Sequence, residues 1–450
     1  MALERMTLRS LTIVCLCVFM LAEAIPAYAR SKHAGNIFDI SRYGASTQQD
    51  NSAAIKRAVD AATMNGGGVV YFPCGEWRVD SSVNMAPGGR SALYFTKLSK
   101  ITFRGEGKCS RIYSTIAERS VFEIKDSSDI NFENLRIEPV AAVFHEHYQN
   151  DGGSAVRLSG VQGGTLRNVE MSGGSAALLW LNAGTSSYTV TASFLHHGYG
   201  NSAIWEDDCS AGDNTTDCGA SVPPTGNSIV RNTFVENGTT GGLAQIVLDS
   251  GGHGTHTRVI GNLIEGRPEP LNHSIKGIQL NNAGDAIVSR NRVRNVRGNG
   301  IAVTVSPRMT LRNILISENV VEGGCADAAI TLYTSPGGHI EDTTIRGNYV
   351  SATEGKGIAL YSTDAAEIRG TTIVNNSLTG IGAASNHLVE AMFVNGVEVQ
   401  ITGNAVQGDG LHQRIGLSIG PDSRHVHDVQ SNLIAGSVEV EVSDPGNARE

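Results

Sequence analysis

Residues 229–234 read IVRNTF, and the same shape returns as VIGNLI (259–264), VSRNRV (288–293), ISENVV (316–321), IRGNYV (345–350), IVNNSL (373–378), ITGNAV (401–406) and VQSNLI (429–434). The shared asparagines are Asn232, Asn262, Asn291, Asn319, Asn348, Asn376, Asn404 and Asn432, spaced 30, 29, 28, 29, 28, 28 and 28 residues apart. Weaker copies lie upstream at FENLRI (Asn134), LRNVEM (Asn168) and VTASFL (Ala192). Each repeat also holds a second apolar patch: GIQL, GIAVTV, AITLY, GIALY or IGLSI. Short alternating runs split by Gly, Asn and Asp are strands, and no helical periodicity lies between them. Several strands per repeat at a near-constant period predict an all-β parallel solenoid with three short strands per coil, running from about Ile101 to Val440. A recurrent asparagine has two physical uses there. It tolerates left-handed backbone angles at a bend, and it can stack on its neighbours as an amide ladder.

A solenoid needs its ends covered. DNSAAIKRAVDAATMNGGGVVYFPCGEWRV (50–79) supplies the first cover. Ala54, Ile55, Ala58, Val59 and Ala62 form one helical stripe, Asp50, Asn51 or Ser52 can cap it, and Gly66-Gly67-Gly68 ends it before a strand. This order of acidic-Asn-small, helix, Gly-Gly-Gly, strand and Pro-x-Gly-x-aromatic resembles the start of pectate-lyase-like right-handed β-helix proteins. That group holds polygalacturonases, exopolysaccharide lyases and epimerases, and phage tailspikes. The resemblance covers about 45 residues closely and the rest through the repeat. It implies a single right-handed parallel β-helix with an N-terminal capping helix, on which many chemistries are known.

The first 29 residues read as a secretory signal: Arg5 and Arg9, an apolar Leu11–Leu21, then Ala27-Tyr28-Ala29. That apolar run is too short to span a bilayer. The expected organisation is a signal peptide (1–29), a cap and first coil (30–100), the β-helix (101–440) and a tail (441–450), in a secreted or periplasmic protein with no membrane insertion. A formal charge of −9 without a basic run argues against nucleic acid as a partner. Five cysteines follow the signal, so at least one is left unpaired within the chain. Cys209–Cys218 is the first expected disulfide and Cys74–Cys109 the second.

Setting β-branched and Leu positions inward turns two columns outward. One runs Ser159, Asn182, Asp207, Asp249, Asn281, Thr304, Tyr333, Tyr361; the other runs Arg157, Trp180, Trp205, Val247, Gln279. Asp207 and Asp249 then fall on consecutive coils, where like charges raise one pKa. Asp207, Asp208, Asp249, His253 and Lys276 are the catalytic candidates. Trp180, Trp205, Arg157, Gln279, Asn281 and His256 are the substrate-binding candidates, the tryptophans as exposed platforms for sugar rings. His196, His197 and His273 lie nearby in sequence, and FHEHYQND (144–151) is a second polar loop, read as a connection. No metal-ligand spacing is present, and no metal site is expected from the residues themselves.

Polygalacturonases carry Asn-Thr-Asp, Asp-Asp, Gly-His-Gly and Arg-Ile-Lys in chain order. Here Asp207-Asp208, Gly252-His253-Gly254 and Ser274-Ile275-Lys276 follow that order. The place of Asn-Thr-Asp reads LNAG, and Ser274 stands where the arginine would be. The resemblance implies a secreted enzyme that cleaves a polysaccharide, expected to be an acidic one, by hydrolysis or β-elimination. A hydrolase requires no cofactor, whereas a lyase would use Ca²⁺ with Lys276 as base. The other class is a non-catalytic glycan-binding or matrix protein; clustered acids favour the enzyme.

Overall fold

The structure is a computed structural model that describes residues 36–81, 83–84, 90–116, 119–140, 153–182, 184–200, 202–208, 222–238, 243–266, 275–362, 367–383 and 388–443. These residues build three sheets of 17, 13 and 14 strands, here the first, second and third sheets. Pairing is parallel throughout, except for one antiparallel pair between Val83–Asn84 and Arg90–Thr96. The coils visit the third, the first and the second sheet in turn, as in Lys276–Asn281, Ile287–Ser289 and Arg292–Val296, and three later coils give the first sheet two strands, as in Thr310–Leu311 and Leu315–Ser317. The chain then re-enters the third sheet at Ile301–Val305. Stacking begins at Ile37–Asp39, which pairs with Gly68–Tyr71 in the first sheet.

Register explains why so short a strand is stable. In the third sheet Ile278, Ile301, Ile330, Ile358 and Met392 stand in one column. All five are fully buried in one core that runs the length of the coil. Each such side chain stabilises the fold by about 1.5–3 kcal/mol, and every coil repeats the contribution.

The asparagines form the second internal column. Asn319 donates its backbone N–H and its Nδ2 to Asn348 Oδ1, at 2.9 and 3.0 Å, and donates Nδ2 again to the Val288 carbonyl at 2.9 Å. Its own Oδ1 accepts from the N–H and Nδ2 of Asn291 at 2.9 and 3.0 Å. The same pattern runs from Asn232 to Asn432. From Asn232 to Asn404 the left-handed backbone belongs to the residue before the asparagine, as at Arg231 (φ 56°), Arg290 (55°) and Glu318 (56°). Upstream, Asn134, Asn168 and Ala192 are themselves left-handed, at φ 53°, 53° and 50°. The upstream copies therefore sit one position out of phase with the ladder. The two uses expected of one residue are divided between neighbours.

The capping helix spans Ser52–Met64 and buries Ala54, Ile55, Ala58, Val59 and Ala62. Asn51 occupies the N-cap position without a side-chain cap bond. Asp50 supplies it instead, accepting from the Ser52 N–H at 3.0 Å and Ser52 Oγ at 2.7 Å. Partial burial pushes the Asp50 carboxyl up, but hydrogen bonds from Ser81, Ser52 and the Asp80 N–H outweigh it and hold the group at about 2. Gly67 (φ 121°) follows the helix where a Cβ would lie 2.7 Å from the Lys100 carbonyl oxygen, so only glycine fits. Cys74 and Cys109 form a disulfide, and Cys325 is a buried free thiol. Cys209 and Cys218 lie outside the described residues.

Candidate functional site

The site lies on the outward face of the third sheet. Strands Val156–Ser159, Leu179–Asn182, Ile204–Asp207, Ala244–Asp249, Lys276–Asn281 and Ile301–Val305 stack in that order. One column runs Arg157, Trp180, Trp205, Val247, Gln279, Ala302. The other runs Ser159, Asn182, Asp207 and then Asn281 and Thr304. Asp249 pairs with Asn281 on one side. On the other it stands beside Asp207, one step past the pair Glu206↔Leu248. Both expected columns are therefore formed.

Their exposure differs from expectation. Trp180 and Trp205 are only 3% and 7% exposed, and Asp207 and Asp249 both 5%. The two indoles stack with centroids 5.0 Å apart and planes at 8°, and the Arg157 guanidinium lies 4.3 Å from the Trp180 ring. With Ala177, Ala244 and Val247 they form a second apolar cluster outside the coil, against which Leu243 packs. This corrects the idea of exposed sugar platforms. Parallel sheets are commonly covered on both faces, and all four residues of Ile204–Asp207 are buried.

The alternation that turns Trp205 and Asp207 outward turns Glu206 into the coil. It is fully buried, with Thr257 Oγ1 donating to its two oxygens at 3.0 and 3.2 Å. Burial raises its pKa to about 7, against hydrogen bonds from Asn227 and Thr257 that lower it. The period of two within the strand separates Glu206 from its acidic neighbour Asp207, and was the sequence signal for it.

Asp249 is a perturbed carboxyl of the outward row. Burial raises its pKa to about 6; the hydrogen bonds of Asn281, Gly251 and Asn282 oppose the rise, and the charge of Asp208 adds to it. Asn281 Nδ2 donates to Asp249 Oδ2 at 2.5 Å, and the Gly251 N–H approaches Oδ1 at 3.4 Å. Lys276 stands one coil on, where Nζ donates to Gln279 Oε1 at 3.3 Å. Burial lowers its pKa, and the charge of Asp327 works against that. Asp207, Asp208, Asp249, Asn281, Gln279 and Lys276 are thus gathered over three adjacent strands and the residue that follows the first.

The histidines are not gathered with them. His253 and His256 are exposed on the turn that leaves the Ala244–Asp249 strand, and among the described residues no hydrogen bond ties either imidazole to Asp249. His196 and His197 belong to the second sheet, in Phe194–Gly198. There they line a separate cavity of about 290 Å³ with Arg111, Tyr113, Glu138 and Tyr199. His273 and residues 144–151 lie outside the described residues. Among the described residues, the one His, Cys, Asp or Glu trio with ligand atoms within 4.8 Å of one another is Cys74, Glu106 and Cys109. Its two sulfurs are already bonded to each other.

The groups that converge here are a carboxyl poised near pH 6, two further carboxylates, an ammonium and two amides. Such a set can deliver and accept protons at a bound ligand. With that geometry fixed, the likeness to known proteins is informative. Residues 37–246 match the family described as rhamnogalacturonase A/epimerase, pectate lyase-like, and residues 246–419 match the right handed beta helix region. None of the curated proteins matches the chain in sequence. Among solved structures, the Thermotoga maritima exopolygalacturonase is similar at TM-score 0.58 and 11% identity, over 83% of this chain and 92% of that one. The A-module of the Azotobacter vinelandii mannuronan C-5 epimerase AlgE6 is similar at 0.54 and 15%, over 90% and 98%. The Streptococcus pneumoniae surface protein and adhesin PfbA is similar at 0.56 and 13%, over 91% and 99%. At such identities the likeness is one of fold alone, the right-handed β-helix.

Proposed function

We propose that this pectate-lyase-like right-handed β-helix protein is a secreted enzyme that cleaves a polysaccharide by acid–base chemistry on the outward face of its third sheet. Asp249 is the general acid, protonating the oxygen of the breaking glycosidic bond. Asp207 and Asp208 are the neighbouring carboxylates, one of which takes a proton from the attacking water or itself bonds to the sugar carbon as the protonated glycosidic oxygen leaves. Lys276 supplies positive charge, and Gln279 and Asn281 hold the floor. The observation that carries this reading is the Asp249 carboxyl, raised to about 6 by burial beside Asp208 yet still hydrogen-bonded by Asn281. A buried carboxyl kept half-protonated near working pH suits proton delivery. It adds nothing to a surface that only binds.

The experiment is turnover of a panel of acidic and neutral polysaccharides, followed both by reducing ends and by the absorbance of unsaturated uronates. Reducing ends alone identify hydrolysis; the two together identify elimination. Replacing Asp249 with Asn is expected to lower turnover by about 10²–10⁴-fold. The wild-type rate should fall as pH rises through about 6, because the acid form of Asp249 is then lost. Binding without cleavage, unchanged in Asp249→Asn, would replace the enzyme with a glycan-binding protein.

A further inference from the structure

Four hydrogen bonds run in series across the site. Lys276 Nζ donates to Gln279 Oε1 at 3.3 Å, and Gln279 Nε2 donates to Thr304 Oγ1 at 3.1 Å. Thr304 Oγ1 donates to Asn281 Oδ1 at 2.9 Å, and Asn281 Nδ2 donates to Asp249 Oδ2 at 2.5 Å. A hydroxyl carries one hydrogen, so Thr304 can donate to only one of the two amides and must accept from the other. The end charges select between the two directions. In the reverse direction Gln279 would point its NH₂ at an ammonium and Asn281 its carbonyl at a carboxylate. The contact at Lys276 would be repulsive in either state of Asp249, and the contact at Asp249 would be repulsive whenever that group is ionised, so the series runs from cation to anion.

The fold makes this junction possible. Thr304 is the register partner of Asn281, and Ala302 is the partner of Gln279. The small side chain of Ala302 leaves the Gln279 amide free to reach diagonally to Thr304, within the range of long side chains on neighbouring strands. A larger residue at 302 would close that path.

From this geometry we infer that Thr304 is a positioning residue: its single hydroxyl locks both amides and so joins Lys276 and Asp249 into one unit. Thr304 touches neither charged group and acts through Gln279 and Asn281. The amides do not pass protons; they fix where each charge is stabilised. Without the hydroxyl, Asn281 can turn its carbonyl toward Asp249 for part of the time, which disfavours the ionised carboxylate. The other charged groups near the two ends are Asp207 and Asp208 on the preceding coil and Asp327 near Lys276. None of them is altered by a change at Thr304. This inference rests on Asp249 being the acid of the proposed reaction, but its geometry can be tested without a substrate.

The test is a ¹³C NMR titration of the aspartate carboxyls in the full-length protein. The Asp249 signal is assigned by its loss in Asp249→Asn. Wild type and Thr304→Ser, which keeps the hydroxyl, should share one midpoint. Thr304→Val, which keeps the shape and removes the hydroxyl, should move the midpoint up by about one pH unit. Thr304→Ala is the second hydroxyl-free variant and should move it in the same direction should the valine protein fail to fold. In a turnover assay, Thr304→Val should lower kcat and shift its pH limb with KM nearly unchanged, and Thr304→Ser should restore both. An Asp249 midpoint equal in wild type and the hydroxyl-free variants would overturn the inference. A shifted midpoint in a protein that turns over no polysaccharide would leave the unit standing and remove the enzyme reading.

Discussion

Two rows of stacked polar side chains run through this molecule, each with one member per coil. The inner row is asparagine from Asn232 to Asn432, and its rungs bond alike. The outer row runs Asn182, Asp207, Asp249, Asn281, Thr304, and its rungs change from amide to two carboxyls, to amide, to hydroxyl. A uniform row satisfies every donor and acceptor from within, so no group in it is left to meet a ligand. In the mixed row an acid and an amide meet, and burial pushes the acid off its usual pKa. Stacking alone therefore identifies structure. Stacking with a break in chemistry and a displaced titration identifies a site.

The widest separation expected between the rows is in activity. Asp249→Asn is expected to lose about 10²–10⁴-fold in turnover with a melting temperature equal to or above that of wild type. Its ionised form is strained in the fold, and the amide removes that charge. A parallel fall in melting temperature and turnover would make the outer row structural as well. The reverse is expected inside. Asn319→Ala leaves the Asn291 N–H and one amide hydrogen without their acceptor and removes the Nδ2 bond to the Val288 carbonyl. The loss expected in urea unfolding is about 3 kcal/mol. Unchanged stability would mean that the ladder is ornamental.

Glu206 sharpens the contrast, because it is a polar group inside the coil but outside the ladder. Its folded pKa is raised from 4.5 to about 7 by burial. A raised pKa means that its contribution is fully present below pH 4.5 and is lost as pH rises through about 7. Glu206→Gln should accordingly be more stable than wild type by about 1–3 kcal/mol at pH 8 and nearly equal to it at pH 4.5. A pH-independent difference would show that the carboxyl is already solvated. The smallest effect is at the cap. Asp50→Ala should cost about 1 kcal/mol near neutrality. Its folded pKa is depressed from 3.8 to about 2, so the difference should be present above pH 4 and fade as pH falls through 2.

Much of this was legible in the sequence, for identifiable reasons. A period held to within two residues over eight copies leaves few folds open, and the alternation of two gave the outward columns their correct register. Burial was not legible, because the cover over Trp180 and Trp205 comes from residues such as Ala177 and Leu243, which are distant in register or carry no signal of their own. The role of the asparagines was half-read. Arg231 and Glu318 adopt the left-handed turn although neither residue type advertises it. The series through Thr304 was beyond reach, since it depends on side-chain torsions and on the small size of Ala302. Of the two disulfides expected, Cys74–Cys109 is formed.

The ladder also bears on how the number of coils is set. Every rung donates toward the C-terminal neighbour and accepts from the N-terminal one, so the stack is a one-way array of aligned dipoles. Sliding one segment by a whole coil would restore almost every bond, because the rungs are interchangeable. The array cannot count itself. Counting falls to its terminators. At one end the Ser193 N–H donates to Asn232 Oδ1 at 3.0 Å, and at the other Asn432 Nδ2 turns to the Val429 carbonyl at 2.7 Å. These unlike ends fix the phase of identical rungs between them, much as start and stop marks frame a repeated message.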